Sequence, residues 1–135
     1  MRGVYCIDDD QLITIILKYQ LSEAFRGTNL ILEVEDDPDI LIELMISNAT
    51  NGIEPVVCIV DFQMPKMRGD EVIRMIKKNF PDIKVIMLSG NSNAIIVSDL
   101  EEDGLLDYYL TKPWEKDELL EKINLCLPLN LKFLK

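Results

Sequence analysis

Short apolar runs alternate along this chain with stretches whose apolar positions recur at helical spacing. Val4-Tyr5-Cys6-Ile7 reads as a buried strand closed by Asp8-Asp9-Asp10, and a helix follows over about 11–25, with Leu12, Ile15, Ile16 and Tyr19 at helical spacing. Gly27-Thr28-Asn29 breaks that helix and leads into a second strand, Leu30-Ile31-Leu32-Glu33-Val34. Asp37-Pro38 then has the form of an N-cap followed by proline at the first helical position, opening a helix to about Asn48. After the Asn51-Gly52 turn, Val56 to Val60 form a third strand ending in Asp61. A helix with Val72, Ile73 and Ile76 on one face runs to Phe80-Pro81. Lys84 to Leu88 is the fourth strand, about 92–103 the fourth helix, ended by Gly104, and Leu106 to Leu110 the fifth strand. Leu119, Leu120, Ile123 and Leu127 mark the inner face of a last helix, stopped by Pro128.

Strict strand–helix alternation predicts an α/β fold, a doubly wound parallel sheet of five strands with helices on both faces. In such sheets ligands bind beyond the carboxyl ends of the strands, near the point where the winding reverses. The polar residues at the predicted strand ends are Asp8 and Asp9 (first), Asp61 (third), Ser89 (fourth) and Thr111-Lys112 (fifth). They converge on one rim if the strand order is 2-1-3-4-5, which makes the second strand an edge.

Composition narrows what such a rim can do. At 135 residues and 48% hydrophobic the chain has the size of one globular domain. Its net charge of −10 argues against direct contact with nucleic acid. Met1-Arg2-Gly3 runs straight into an apolar strand-like segment, so no signal peptide is expected, and no apolar run reaches the ~18 residues of a membrane span. Cys6, Cys58 and Cys126 each lie in an apolar stretch, the pattern of buried thiols in a reducing compartment, so a cytoplasmic location is expected. There is no histidine, which removes serine-type triads, imidazole metal sites and imidazole acid–base catalysis together.

Three clustered carboxylates repel one another at neutral pH unless they take up protons or a cation. Oxygen-only ligation selects a hard cation, Mg²⁺ or Mn²⁺. Three carboxylates, a divalent ion and the Lys112 ammonium sum to zero formal charge. A site of that kind aligns and neutralises a phosphoryl group, and an aspartate held within it can act as the nucleophile.

Asp61-Phe62-Gln63-Met64-Pro65-Lys66-Met67-Arg68-Gly69 resembles the D-x-x-M-P-x-x-x-G signature of response-regulator receiver domains. Asp8-Asp9, Ser89 and Lys112-Pro113 match the remaining site positions, and the resemblance spans about Val4 to Leu127. It implies a flavodoxin-like fold and a phosphorylation-activated switch of a two-component phosphorelay. Asp61 is then the phosphoacceptor; Asp8, Asp9, Asp61 and the Gln63 backbone carbonyl are the ligands of Mg²⁺ (or Mn²⁺). Ser89 and Lys112 bind the phosphoryl group, Ser89 and Tyr109 form the switch, and the Lys112–Pro113 peptide is cis. The implied donor is a histidine kinase or a histidine phosphotransfer protein, and the output goes to a protein target or an attached output domain. Enzymatic activity extends at most to self-phosphorylation from phosphodonors and autodephosphorylation.

Other readings stand beside this one. Asp10 is read as a helix cap, and Glu35-Asp36-Asp37 as capping on an edge element. That acidic stretch departs from the small-residue pattern often seen in the family; lying far from the site, it bears on partners more than on chemistry. Met64 and Met67 are read as loop packing, and Gly69 as permitting a tight backbone path. Gly90 stands where many relatives have alanine, a smaller residue expected to ease access to Asp61, and Gln63 and Asn91 match positions that tune dephosphorylation in relatives. The rival functions are a pseudo-receiver that only binds partners and a phosphatase of the haloacid-dehalogenase type; the latter generally carries a second Asp where this chain has Gln63. The expected division is a receiver domain over 1–127 and a tail over 128–135 that either packs on the domain or starts a connection to a further region.

Overall fold

The computed structural model describes residues 1–90 and 94–134. The chain forms β1 (Arg2–Ile7), α1 (Gln11–Ala24), β2 (Leu30–Glu35), α2 (Pro38–Thr50), β3 (Glu54–Asp61), α3 (Gly69–Asn79), β4 (Lys84–Ser89), α4 (Ala94–Glu102), β5 (Tyr108–Thr111) and α5 (Lys116–Cys126). All strand pairs are parallel, in the order β2-β1-β3-β4-β5. The chain winds outward from β1 to β2, then crosses back to β3, so the winding reverses between β1 and β3 and the crevice opens above their carboxyl ends.

The strands are apolar because both sheet faces are covered. Tyr5, Ile7, Cys58, Val60, Val85 and Met87 meet α2, α3 and α4 on one side. Val4, Cys6, Val57, Ile59, Ile86 and Leu88 meet α1 and α5 on the other. Asp10 caps α1 by accepting from the Leu12 amide at 2.9 Å, and Asp37 caps α2 ahead of Pro38.

Two sequence expectations change. Of the α1 residues Leu12, Ile15, Ile16 and Tyr19, Ile16 is half-buried and the other three face outward at 64%, 62% and 76% exposure, while Leu17 and Leu21 are the residues buried against the sheet and α5. The segment from Leu12 to Leu17 is apolar nearly all the way round, so periodicity alone offered two candidate inner faces, and the neighbours selected the other one. The fifth strand begins at Tyr108 instead of Leu106. Gly104, at φ 71°, ends α4 in the left-handed region, the Leu105 amide turns back to the Leu100 carbonyl at 2.9 Å, and Leu106 is buried in the core beneath α4.

Beyond α5, residues 129–131 form a single 3₁₀ turn. The Asn124 carboxamide oxygen accepts from the Phe133 and Leu134 amides at 2.8 and 3.1 Å, and the Phe133 ring meets Phe25 edge-on at 5.3 Å. Residues 128–134 therefore lie back on the base of α1 and α5.

Candidate functional site

Three carboxylates meet where β1 and β3 end. Asp8, Asp9 and Asp61 each offer an oxygen, and these oxygens lie within 4.8 Å of one another. Asp8 and Asp61 are buried, 0% and 3% exposed, whereas Asp9 opens to solvent. The Asp8 position is fixed from its own loop, one oxygen accepting the Asp10 amide at 2.9 Å. Lys112, at the end of β5, reaches across and donates to Asp8 Oδ2 at 2.7 Å and Asp61 Oδ1 at 2.9 Å. Its own amide is held by the Ser89 carbonyl at 2.9 Å, so the ends of β4 and β5 are tied at the same rim.

Burial raises the Asp61 pKa to about 6; the Lys112 hydrogen bond opposes this and the neighbouring Asp8 charge adds to it. Burial lowers the Lys112 pKa, but the hydrogen bonds it donates to Asp61 and Asp8 outweigh it and leave the ammonium above its ordinary value. At neutral pH the rim thus holds a charged lysine and an Asp61 that is largely ionised yet poorly solvated.

The segment after Asp61 is a short excursion closed at its base. The Phe62 amide donates to the Leu88 carbonyl at 2.9 Å, and the Gly69 amide donates to the Phe62 carbonyl at 2.8 Å. A Cβ on Gly69 would lie 2.5 Å from the Asp61 carbonyl oxygen and 2.7 Å from the Phe62 Cα, so only glycine allows this closure.

The family profile described as the response regulator receiver domain matches residues 4–124. The chain belongs to this family. As a receiver domain of two-component signalling it is 30% identical over 121 residues to the DNA-binding transcriptional regulator NtrC of Proteus hauseri, covering 90% of this chain and 24% of that protein. It is 28% identical over 126 residues to the response regulator protein TodT of Pseudomonas putida, covering 93% of this chain and 51% of that one. The chain thus spans about half or less of these curated relatives. Among solved structures, a response regulator receiver domain protein from Clostridium thermocellum superposes with a TM-score of 0.76 at 26% identity, covering 93% and 94% of the two chains.

Within this receiver domain, Asp8, Asp9, Asp61 and Lys112 are brought into one cluster. Ser89, fully buried, ends β4 opposite Thr111, one position beyond the Leu88 that pairs with Asp61. Gln63 lies two residues past Asp61 in the loop, whose residues form a groove with Asp9. Tyr109 is half-buried mid-strand in β5, packed against the core on the α2–α4 side. The Lys112–Pro113 peptide is cis. Gly90 is exposed with open space where a Cβ would stand, and Asn91 lies outside the described residues. The donor set, three carboxylates without nitrogen or sulfur, fits a hard divalent cation.

Sequence reasoning gave no role to Lys66 or Trp114. Lys66, in the signature loop, pairs with Asp37 and Asp39 at the start of α2, and the Trp114 indole donates to Gln20 of α1 at 3.0 Å. Both partners lie too far away in the chain to leave a local pattern.

Proposed function

We propose that this receiver domain accepts a phosphoryl group on Asp61 from a phosphohistidine and passes the signal on by protein–protein contact. The observation that carries this is a buried Asp61 oxygen 2.9 Å from Lys112 Nζ, beside two further carboxylates. An Asp61 oxygen forms the new P–O bond as the donor's P–N bond breaks. The electron pair stays on the imidazole nitrogen, which takes up a proton. With no histidine among these 135 residues, the donor lies outside them, as a histidine kinase or a histidine phosphotransfer protein.

Asp8, Asp9, Asp61 and the Gln63 carbonyl would hold Mg²⁺, with Mn²⁺ as the alternative. When bound, the cation neutralises charge on the phosphoryl oxygens. Lys112 pairs with another phosphoryl oxygen, exchanging part of its contact with Asp8, and the Ser89 hydroxyl takes a third. Drawing Ser89 toward the phosphoryl group opens room for Tyr109 to move inward, which biases the α4–β5–α5 face toward its second arrangement. The three cysteines, all unpaired and buried, suit a reducing cytoplasmic setting. Among the described residues no helix is long and apolar enough to cross a membrane.

Incubation with Mg²⁺ and phosphoramidate or acetyl phosphate, read by intact mass, is expected to add one phosphoryl group of ~80 Da. The adduct should be absent without Mg²⁺ and in Asp61→Asn. A wild-type protein that gains no mass under these conditions supports the pseudo-receiver reading instead.

A further inference from the structure

Between its closed ends the loop from Gln63 to Arg68 has one long-range polar anchor among the described residues, Lys66. Its Nζ lies 2.7 Å from Asp39 Oδ2 and 3.3 and 3.4 Å from the two oxygens of Asp37. Asp37 is no free surface acid: its Oδ1 also caps α2, accepting from the Asp39 and Ile40 amides at 2.8 and 3.4 Å. The cap has already ordered that carboxylate, so the pair loses less side-chain entropy than an ordinary surface ion pair. The hydrogen bonds that Lys66 donates to Asp39 and then Asp37 also hold its ammonium above its ordinary pKa. Residues of the same loop, Gln63, Met64, Pro65 and Arg68, line a groove with Asp9 and Phe62, and Met64 is buried. The acidic stretch after β2, expected to lie far from the site and to bear on partners more than on chemistry, is thus joined to the loop that follows Asp61.

The geometry points to Lys66 as a positioning residue: by latching the loop to the capped start of α2, it steadies the Gln63 backbone in the groove it shares with Asp9 and so sets the affinity of the cation site. This rests on the reading above that Asp8, Asp9, Asp61 and the Gln63 carbonyl hold a divalent cation.

The two explanations of Lys66 predict opposite signs. A lysine that is only a solvated charge weakens cation binding by repulsion, so Lys66→Met would tighten Mg²⁺ binding and leave Asp37 and Asp39 as extra negative charge. A latch does the reverse, because a loosened loop must be reordered at each binding event. Titration calorimetry with MgCl₂ at fixed ionic strength is expected to show Lys66→Met binding about two- to fivefold more weakly than wild type, the range of a good surface ion pair. Lys66→Arg, which keeps the charge and reach, should stay within about twofold. Amide hydrogen exchange at Gln63, Met64 and Lys66 should quicken in Lys66→Met and not in Lys66→Arg. Unchanged or tighter Mg²⁺ binding by Lys66→Met overturns the latch while leaving the cation site standing. A wild-type protein with no saturable Mg²⁺ binding overturns the site and the latch together.

Discussion

Asp61→Asn should make this receiver domain more stable at neutral pH, although it removes a buried hydrogen-bonded group. Burial lifts the Asp61 pKa from 3.8 in the unfolded chain to about 6 in the folded one. At about 1.36 kcal/mol per unit, keeping Asp61 ionised at pH 7 costs the native state on the order of 2–3 kcal/mol, with the Lys112 contact already included in that balance. The sign follows from proton binding. Between about pH 4 and 6 the native state holds the Asp61 proton more tightly than the unfolded state, so this group's contribution falls as pH rises through the window and stays low above it. The asparagine cannot ionise and escapes the cost. Urea unfolding in EDTA, followed from pH 4.5 to 7.5, should show the variant's advantage growing with pH to about 2 kcal/mol, less than the full figure because Lys112 then keeps only Asp8. Mg²⁺ should close the gap by stabilising the wild type, by about 2.7 kcal/mol at a hundredfold excess over Kd. An advantage that is absent at pH 7.5, or that does not change with pH, would refute the claim that burial of an ionised Asp61 is a cost.

Three further outcomes are expected. Gly69→Ala places a Cβ 2.5 Å from the Asp61 carbonyl oxygen, a backbone clash that should cost about 2 kcal/mol or more in urea unfolding, whereas Gly90→Ala meets open space and should change stability by less than about 0.5 kcal/mol. Lys112→Ala removes the cation shared by Asp8 and Asp61, so Mg²⁺ should bind more tightly while phosphorylation from phosphoramidate slows by at least about tenfold; equal rates in the two proteins would remove Lys112 from the chemistry. Asn124→Ala leaves the Phe133 and Leu134 amides without their acceptor, which should cost about 1–2 kcal/mol in thermal unfolding and release those amides to hydrogen exchange.

The sequence by itself carried the alternation of buried strands and helices, and the acids and lysine at the strand ends, because each is a local property: a strand covered on both faces must be apolar along its length, and a charge in such a strand can sit only at its end. It also carried the caps at Asp10 and Asp37, which act within three residues of themselves. What it left undecided were choices between locally equal alternatives. The α1 segment is apolar on more than one side, and the positions of the sheet and α5 made Leu17 and Leu21 the inner residues while turning Leu12, Ile15 and Tyr19 outward. Leu106 is as apolar as a strand residue, but the left-handed turn at Gly104 placed it under α4. The rise of the Asp61 pKa and the junction of Lys66 with Asp37 belong wholly to tertiary structure. Desolvation and Coulomb attraction depend on separation in space, and Lys66 and Asp37 are 29 positions apart in a chain that records only separation in sequence.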